Sequence, residues 1–439
     1  ARVKERAARA SAGEWVLGRG WDQNEWPVTE FPTAGPLDAA IPSNPVWLKR
    51  VDGHAGLANS AAMRAAGITA ATKDPEGGRI LRDARGEPTG VFIDAAMSLV
   101  ESKMPQPTAA QRKARVLASA QAIAAHGLTE VHDAGIDGAT ITAVKELIDE
   151  KRFPIRVYAM LGDNEALLRT WFAQKPLIDY GGRLTVRSVK LYADGALGSR
   201  GAALLEPYSD DPGNRGLLLA TPEHIADVAR RARAAGYQVN THAIGDRGVR
   251  NVIDSYGAAG VTVSDRFRIE HLQVISPPDI PRLVAGGIIA SMQPTHATSD
   301  MNWAEARLGP ERAKGAYAWR TVLNAGGRLA LGSDFPVEDV NPFFGIYSAV
   351  TRQDHSGQPA GGWMPQERLT LAEAIRGFTL DAAYAAFEET SRGTIEPGKL
   401  ADLTIVEGDL LAMPHSELYK AKVRYTVVGG EVVFPLPAK

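Results

Sequence analysis

Four side chains with chemistry to offer each close a strand-like apolar run. They are Lys190 in "VKLYADG", His242 in "NTHAIGD", His271 in "IEHLQV" and Asp334 in "GSDFP". Two imidazoles and a carboxylate match the ligand preferences of Zn²⁺ and similar ions. Lys190 cannot ligate as an ammonium, and a lysine at the end of an apolar strand is costly to bury unless something binds it. Carbon dioxide converts such an amine to a carbamate, an anionic oxygen donor able to bridge two metals. The plainer alternative is a salt bridge to Asp194. Gln293 and His296 in "SMQPTHATSD" follow another strand pattern and are candidates to face a substrate, or to stabilise their own loop. Trp21, Trp26 and His54 lie near the beginning of the chain, where aromatic rings suit an apolar substituent or plain packing.

These residues need a scaffold that brings distant strand ends together. From about residue 107 the pattern alternates strand and helix. "PTAAQRKARVLASAQAIAAHG" carries apolar positions 116, 117, 120, 123 and 124 on one helical face and stops at Gly127. Strand patterns follow at 128–135, 153–161, 184–193, 237–245, 266–274, 287–294 and 327–336, separated by helical patterns. Such alternation predicts parallel βα units. The titratable residues gather at the C-terminal ends of those strands, where a β/α barrel carries its active site. No G-x-G-x-x-G opens a helix and no Walker sequence is present, so a phosphate-binding doubly wound sheet is the poorer reading. About seven strands are counted, one short of barrel closure. His132 in "EVHDAG" is expected to support the fold.

Bulk properties exclude several classes. The chain has 439 residues with a formal net charge of -2, which points to neither nucleic acid nor anionic membrane. No apolar run approaches the roughly 18 residues of a spanning helix. Cysteine is absent, so disulfides and thiolate metal sites are excluded. That absence suits the cytoplasm, the simpler expectation, and also an exported protein.

Longer motifs carry a resemblance. "WDQNEWP", "RVDGHAGLANS", "KLYADGALGSRGAALLEPYSDDPGNRG", "THAIGDR", "IEHLQV", "SMQPTHATSDMNWAEARLG", "GAYAWR", "GSDFPVE" and "PGKLADLTIV" resemble the amidohydrolase superfamily, in particular its amidohydrolase 3, YtcJ-like branch with the N-substituted formamide deformylases. The resemblance covers essentially the whole chain. It implies an α/β fold, a (β/α)8 TIM-type barrel with a small β-sandwich built from both chain ends. It also implies that Lys190 is a carboxylated bridging lysine, that His242 and His271 are metal ligands, and that Asp334 is the aspartate after the last strand. The cofactor so implied is Zn²⁺, one or two divalent ions.

The family's His-x-His pair has no counterpart here, and the chain opens at Ala1 in what reads as a helix already under way, closed by Gly13. The expectation is that the first barrel strand and part of the sandwich are absent. The expected domains are a lid-like insertion over 1–106, the barrel over 107–390 and the C-terminal part of the sandwich over 391–439. The expected activity is hydrolysis of amide-like C–N bonds of a small molecule by metal-activated water, with Asp334 moving the proton. Asp246 and Glu270 are candidates to orient the two histidines. Alternatives are a deaminase, a hydrolase of cyclic amides or esters on the same metal core, and a degenerate barrel that only binds. Unpaired strand edges make a homo-oligomer possible.

Overall fold

Thr108 opens the helix Ala109–Ala125 with a capping box, its side chain accepting from Gln111 N–H while Gln111 reaches back to the cap. Ala120, Ile123 and Ala124 are the buried positions of that helix, as its apolar spacing requires. The computed structural model describes residues 2–435. Ala1 and residues 436–439, which belong to the expected first and last domains, lie outside the described residues. The first helix spans Arg2–Ala7 and ends well before Gly13.

The chain forms two compact units. The first comprises residues 1–106, 194–221 and 303–309, and the second 107–193, 222–302 and 310–439. The expected barrel range is therefore interrupted twice. Within segment 194–221 Asp194 bridges to Leu218 and Asp210 pairs with Arg200; Asp210 also pairs with Arg307 of the second interruption, whose Nη2 donates to Asn24 Oδ1 at 2.8 Å.

The first unit holds a five-stranded sheet in the order Val16–Trp21, Val46–Arg50, Ala55–Ala58, Pro88–Asp94, Gly78–Arg82. Trp47, Ile80, Phe92 and Val100 fill one face, and Trp21, Leu57, Val91 and Ile93 the other.

The second unit is built on seven parallel strands in one sheet, in the order Leu329–Leu331, Ile289–Met292, Arg268–His271, Gln238–Ala243, Leu184–Tyr192, Arg156–Gly162, Glu130–Ile136, with Leu177–Tyr180 pairing antiparallel. Arg268 Nη1 lies 2.9 Å from His132 Nδ1. Four strand spacings separate their strands, about 19 Å in a flat sheet. The sheet must therefore curl until its inner face meets itself, giving an open half-barrel. Tyr158 Oη donating to Gln238 Oε1 at 3.1 Å spans the same concave face. Among the described residues the ladder ends at Glu130–Ile136 and Leu329–Leu331. The C-terminal strands form a three-stranded antiparallel sheet, Leu403–Val406, Val423–Val428 and Glu431–Phe434. Arg156 anchors it to the half-barrel through a two-point pair with Asp402 at 2.7 and 2.9 Å.

Candidate functional site

Parallel register sets the positions of the polar side chains. Lys190 pairs with Asn240, His242 with Glu270 and Ala243 with His271, so three neighbouring strands deliver their polar residues at one end of the sheet. His271 and Leu272 adopt φ of 75° and 44°. This left-handed turn ends the strand and breaks the two-residue alternation, so Glu270 and His271 need not face opposite sides. Asp334 also sits at φ 58°, three residues beyond its strand. Left-handed backbone at non-glycine residues is uncommon and concentrates where function imposes it.

The His242 and His271 rings meet edge to face, centroids 4.6 Å apart, and both are buried. His296 stacks on His271 at 5.7 Å. Gln293 Nε2 donates to Ser291 O at 3.3 Å, turning Oε1 toward His271 Nδ1 at 2.8 Å. Gln273 Nε2 lies 3.1 Å from His296 Nδ1, and His296 Nε2 lies 3.8 Å from Asp334 Oδ2. The Asp334 side chain is a third exposed, against 8% for His296, so it is the group open to solvent.

Lys190 is 2% exposed. Its ammonium head lies over the Tyr192 ring, 4.8 Å from the centroid, and forms no ion pair with any described residue. Burial pushes its pKa down, against the opposing charges of Glu270 and Asp334. Glu270 Oε1 is itself buried without a hydrogen-bond partner among the described residues. Gly135, with φ 127°, passes beside Lys190 Cγ, where an L residue would be strained.

The structure thus brings together Lys190, His242, His271, Gln293, His296 and Asp334 in the second unit. Trp21 and His54 belong to the first. Trp21 is a packing residue there, its indole N–H donated to Leu48 O at 2.8 Å. His54 Nδ1 binds Asp94 Oδ1 at 2.6 Å, and the glycines at 195 and 201 keep the space around that carboxylate clear. Burial works to lower the His54 pKa, but Asp94, Asp52 and Asp194 outweigh it and raise it. In "WDQN", Asp22 caps a short 3₁₀ turn and pairs with buried Arg50, and Gln23 accepts from Arg50 Nε at 2.9 Å. Gln273 was not singled out by sequence; its position two residues past His271 is the only signal it offers.

Among the described residues no group of three or more His, Asp or Glu side chains is spaced to hold a metal ion. The donor chemistry still fits a divalent ion. A metal-binding imidazole normally gives its second N–H to an acceptor, and Gln293 Oε1 stands where it would take that role for His271. Lys190 would supply a third donor only as a carbamate, and a buried amine with no ion pair to a described residue suits that conversion.

The amidohydrolase family model matches residues 1–434. The chain is 36% identical over 459 residues to Protein LONG AFTER FAR-RED 3 of Arabidopsis thaliana, covering 99% of this chain and 76% of that protein. It is 34% identical over 440 residues to the putative amidohydrolase YtcJ of Bacillus subtilis, covering 98% and 82%. With the N-substituted formamide deformylase of Arthrobacter pascens it shares 28% over 433 residues, covering 95% and 78%. A metal-dependent hydrolase of Pyrococcus horikoshii of known structure superposes with a TM-score of 0.74 at 25% identity, covering 94% of this chain and 80% of that one. The half-barrel is therefore of the metal-dependent hydrolase type, and the chain belongs to the amidohydrolase family, as a YtcJ-like amidohydrolase.

Proposed function

We propose that the protein is a divalent-metal hydrolase acting on amide-like C–N bonds of small molecules, N-substituted formamides among them. The observation that carries this reading is the edge-to-face pair of His242 and His271 beside a buried Lys190 that forms no ion pair with any described residue. His242, His271 and carbamylated Lys190 would hold the ion, zinc being the expected one. When bound, the ion supplies a water of lowered pKa and polarises the scissile carbonyl. Asp334, the most solvent-open carboxylate of the group, takes the water proton at its side-chain oxygen and returns it to the departing amine nitrogen. Gln293 orients His271 and is a positioning residue rather than a substrate contact. His296 faces Asp334 from the helix Pro294–Asp300, whose start is fixed by Pro294. The N-substituted formamide deformylase relative supports the C–N bond class.

The test is metal analysis of the purified protein with an assay panel of N-formyl amines, acyl amino acids, aminopurines and cyclic esters. Zinc-dependent release of amine from an N-formyl substrate is the expected result. Release of ammonia from the aminopurines alone would replace amide hydrolysis by deamination. Protein that retains no zinc and turns over nothing would leave a binding barrel.

A further inference from the structure

Two histidines and two glutamines are interleaved at the mouth of the half-barrel. Gln273, two residues after His271, reaches His296; Gln293, three residues before His296, reaches His271. Each glutamine thus serves the histidine on the other strand's loop. Backbone bonds hold both in place: Tyr317 N–H donates to Gln273 O at 2.7 Å, and His296 N–H to Gln293 O at 3.1 Å.

The two amides present opposite ends. Gln293 spends its Nε2 on Ser291 O, so its oxygen faces His271 and can only accept. His271 must then carry its proton on Nδ1. Gln273 presents its Nε2, a donor, and His296 Nδ1 can receive it only as a lone pair. The His296 proton then sits on Nε2, on the side facing the Asp334 carboxylate at 3.8 Å, where a negative charge favours it.

We propose that Gln273 and Gln293 lock the two stacked imidazoles in opposite tautomers, so that His271 offers an Nε2 lone pair and His296 an Nε2–H that donates to an oxygen of the substrate. His296 is then a hydrogen-bond donor and not a metal ligand, and Gln273 is its positioning residue. Naming the acceptor as a substrate oxygen rests on the hydrolase reading above. The tautomers do not.

The experiment uses the metal-free full chain labelled with ¹⁵N-histidine. Signals of the nine histidines are assigned for the two of interest by their loss in His271→Asn and His296→Asn. The expected spectrum shows His271 protonated at Nδ1 and His296 at Nε2. The same tautomer in both rings, or a His296 protonated at Nδ1, overturns the proposal. Zinc titration supplies a second arm. Gln293→Met should weaken zinc binding by about 10- to 100-fold, the effect of removing a ligand's orienting partner. Gln273→Met should leave zinc affinity unchanged while kcat/KM falls by roughly tenfold, the worth of one ordinary hydrogen bond. Equal loss of zinc in both variants would make His296 a ligand and end the proposal. Gln273→Glu, whose carboxylate accepts, should move a proton onto His296 Nδ1 in the same spectra. If the unaltered enzyme hydrolyses nothing, the hydrolase reading fails, and the spectra and zinc affinities still decide the tautomers.

Discussion

Burying a lysine amine that forms no ion pair with any described residue costs folding energy, and Lys190 does so at the end of its strand. A site that tolerates this uses the amine for something. Lys190→Ala should abolish metal retention and turnover, with partial rescue by short carboxylates that occupy the carbamate position. Full activity in the alanine variant would end the carbamate reading. Asp334→Asn separates function from packing in the same way. The side chain is a third exposed, so melting should be nearly unchanged while kcat falls at least roughly 10²-fold. Unchanged melting with unchanged turnover would make the aspartate structural. In the first unit, His54 should titrate above the ordinary histidine value because Asp94 holds its Nδ1–H. In Asp94→Asn that titration should drop, read directly by NMR, and an unmoved titration would show that the pair is not charged. Sequence marked most of these residues by type and by strand-end position. It could not mark Gln273, or the partnership of Gln293 with His271, because both depend on side chains meeting across two loops.

Strands of the large sheet were legible from apolar runs, and a curled sheet was expected from the polar residues at their ends, but the contacts across the curl were not legible, since they join strands that are not neighbours. Arg268 shows the difference. In "RFRIEHLQV" it reads as a polar position, yet it is 1% exposed and spans the concave face to His132 and to Ala385 O at 2.5 Å. Arg268→Met should destabilise the protein by about 1–3 kcal/mol, because the carbonyl and the imidazole lose a buried partner. The pH dependence gives a sharper reading. Burial, with the charges of Arg268 and Arg392, holds the His132 pKa well below the usual value. Below the unfolded value of about 6.5 the unfolded chain takes up a proton that the folded chain refuses, so this residue's contribution is lost as pH falls. Arg268→Met should flatten that slope in denaturant titrations between pH 7 and pH 5. A slope as steep as in the parent would assign the effect elsewhere. The left-handed turns at His271 and Asp334 were equally hidden, since His and Asp adopt positive φ more readily than most residues but do not require it.

At the scale of the whole molecule, two units share one chain that crosses between them several times. The expected boundary near residue 106 left out segments 194–221 and 303–309, which reach the first unit through contacts between distant residues such as Arg307 with Asn24. All proposed metal donors lie in the second unit. His242, His271 and a Lys190 carbamate make three donors, a catalytic count for one ion with water completing the set. Zinc should therefore bind with a stoichiometry of one per chain by calorimetry. Binding to the folded state alone stabilises by RT ln(1 + [L]/Kd), about 2.7 kcal/mol at a hundredfold excess over Kd. A chelator should remove that increment and added zinc restore it. Hydrogen exchange locates the effect: new protection should centre on Leu184–Tyr192, Gln238–Ala243 and Arg268–His271, the three adjacent strands that carry the donors. Ion binding at His54 and Asp94 would instead protect Pro88–Asp94 in the first unit, and that pattern would show the metal donors to have been assigned to the wrong unit.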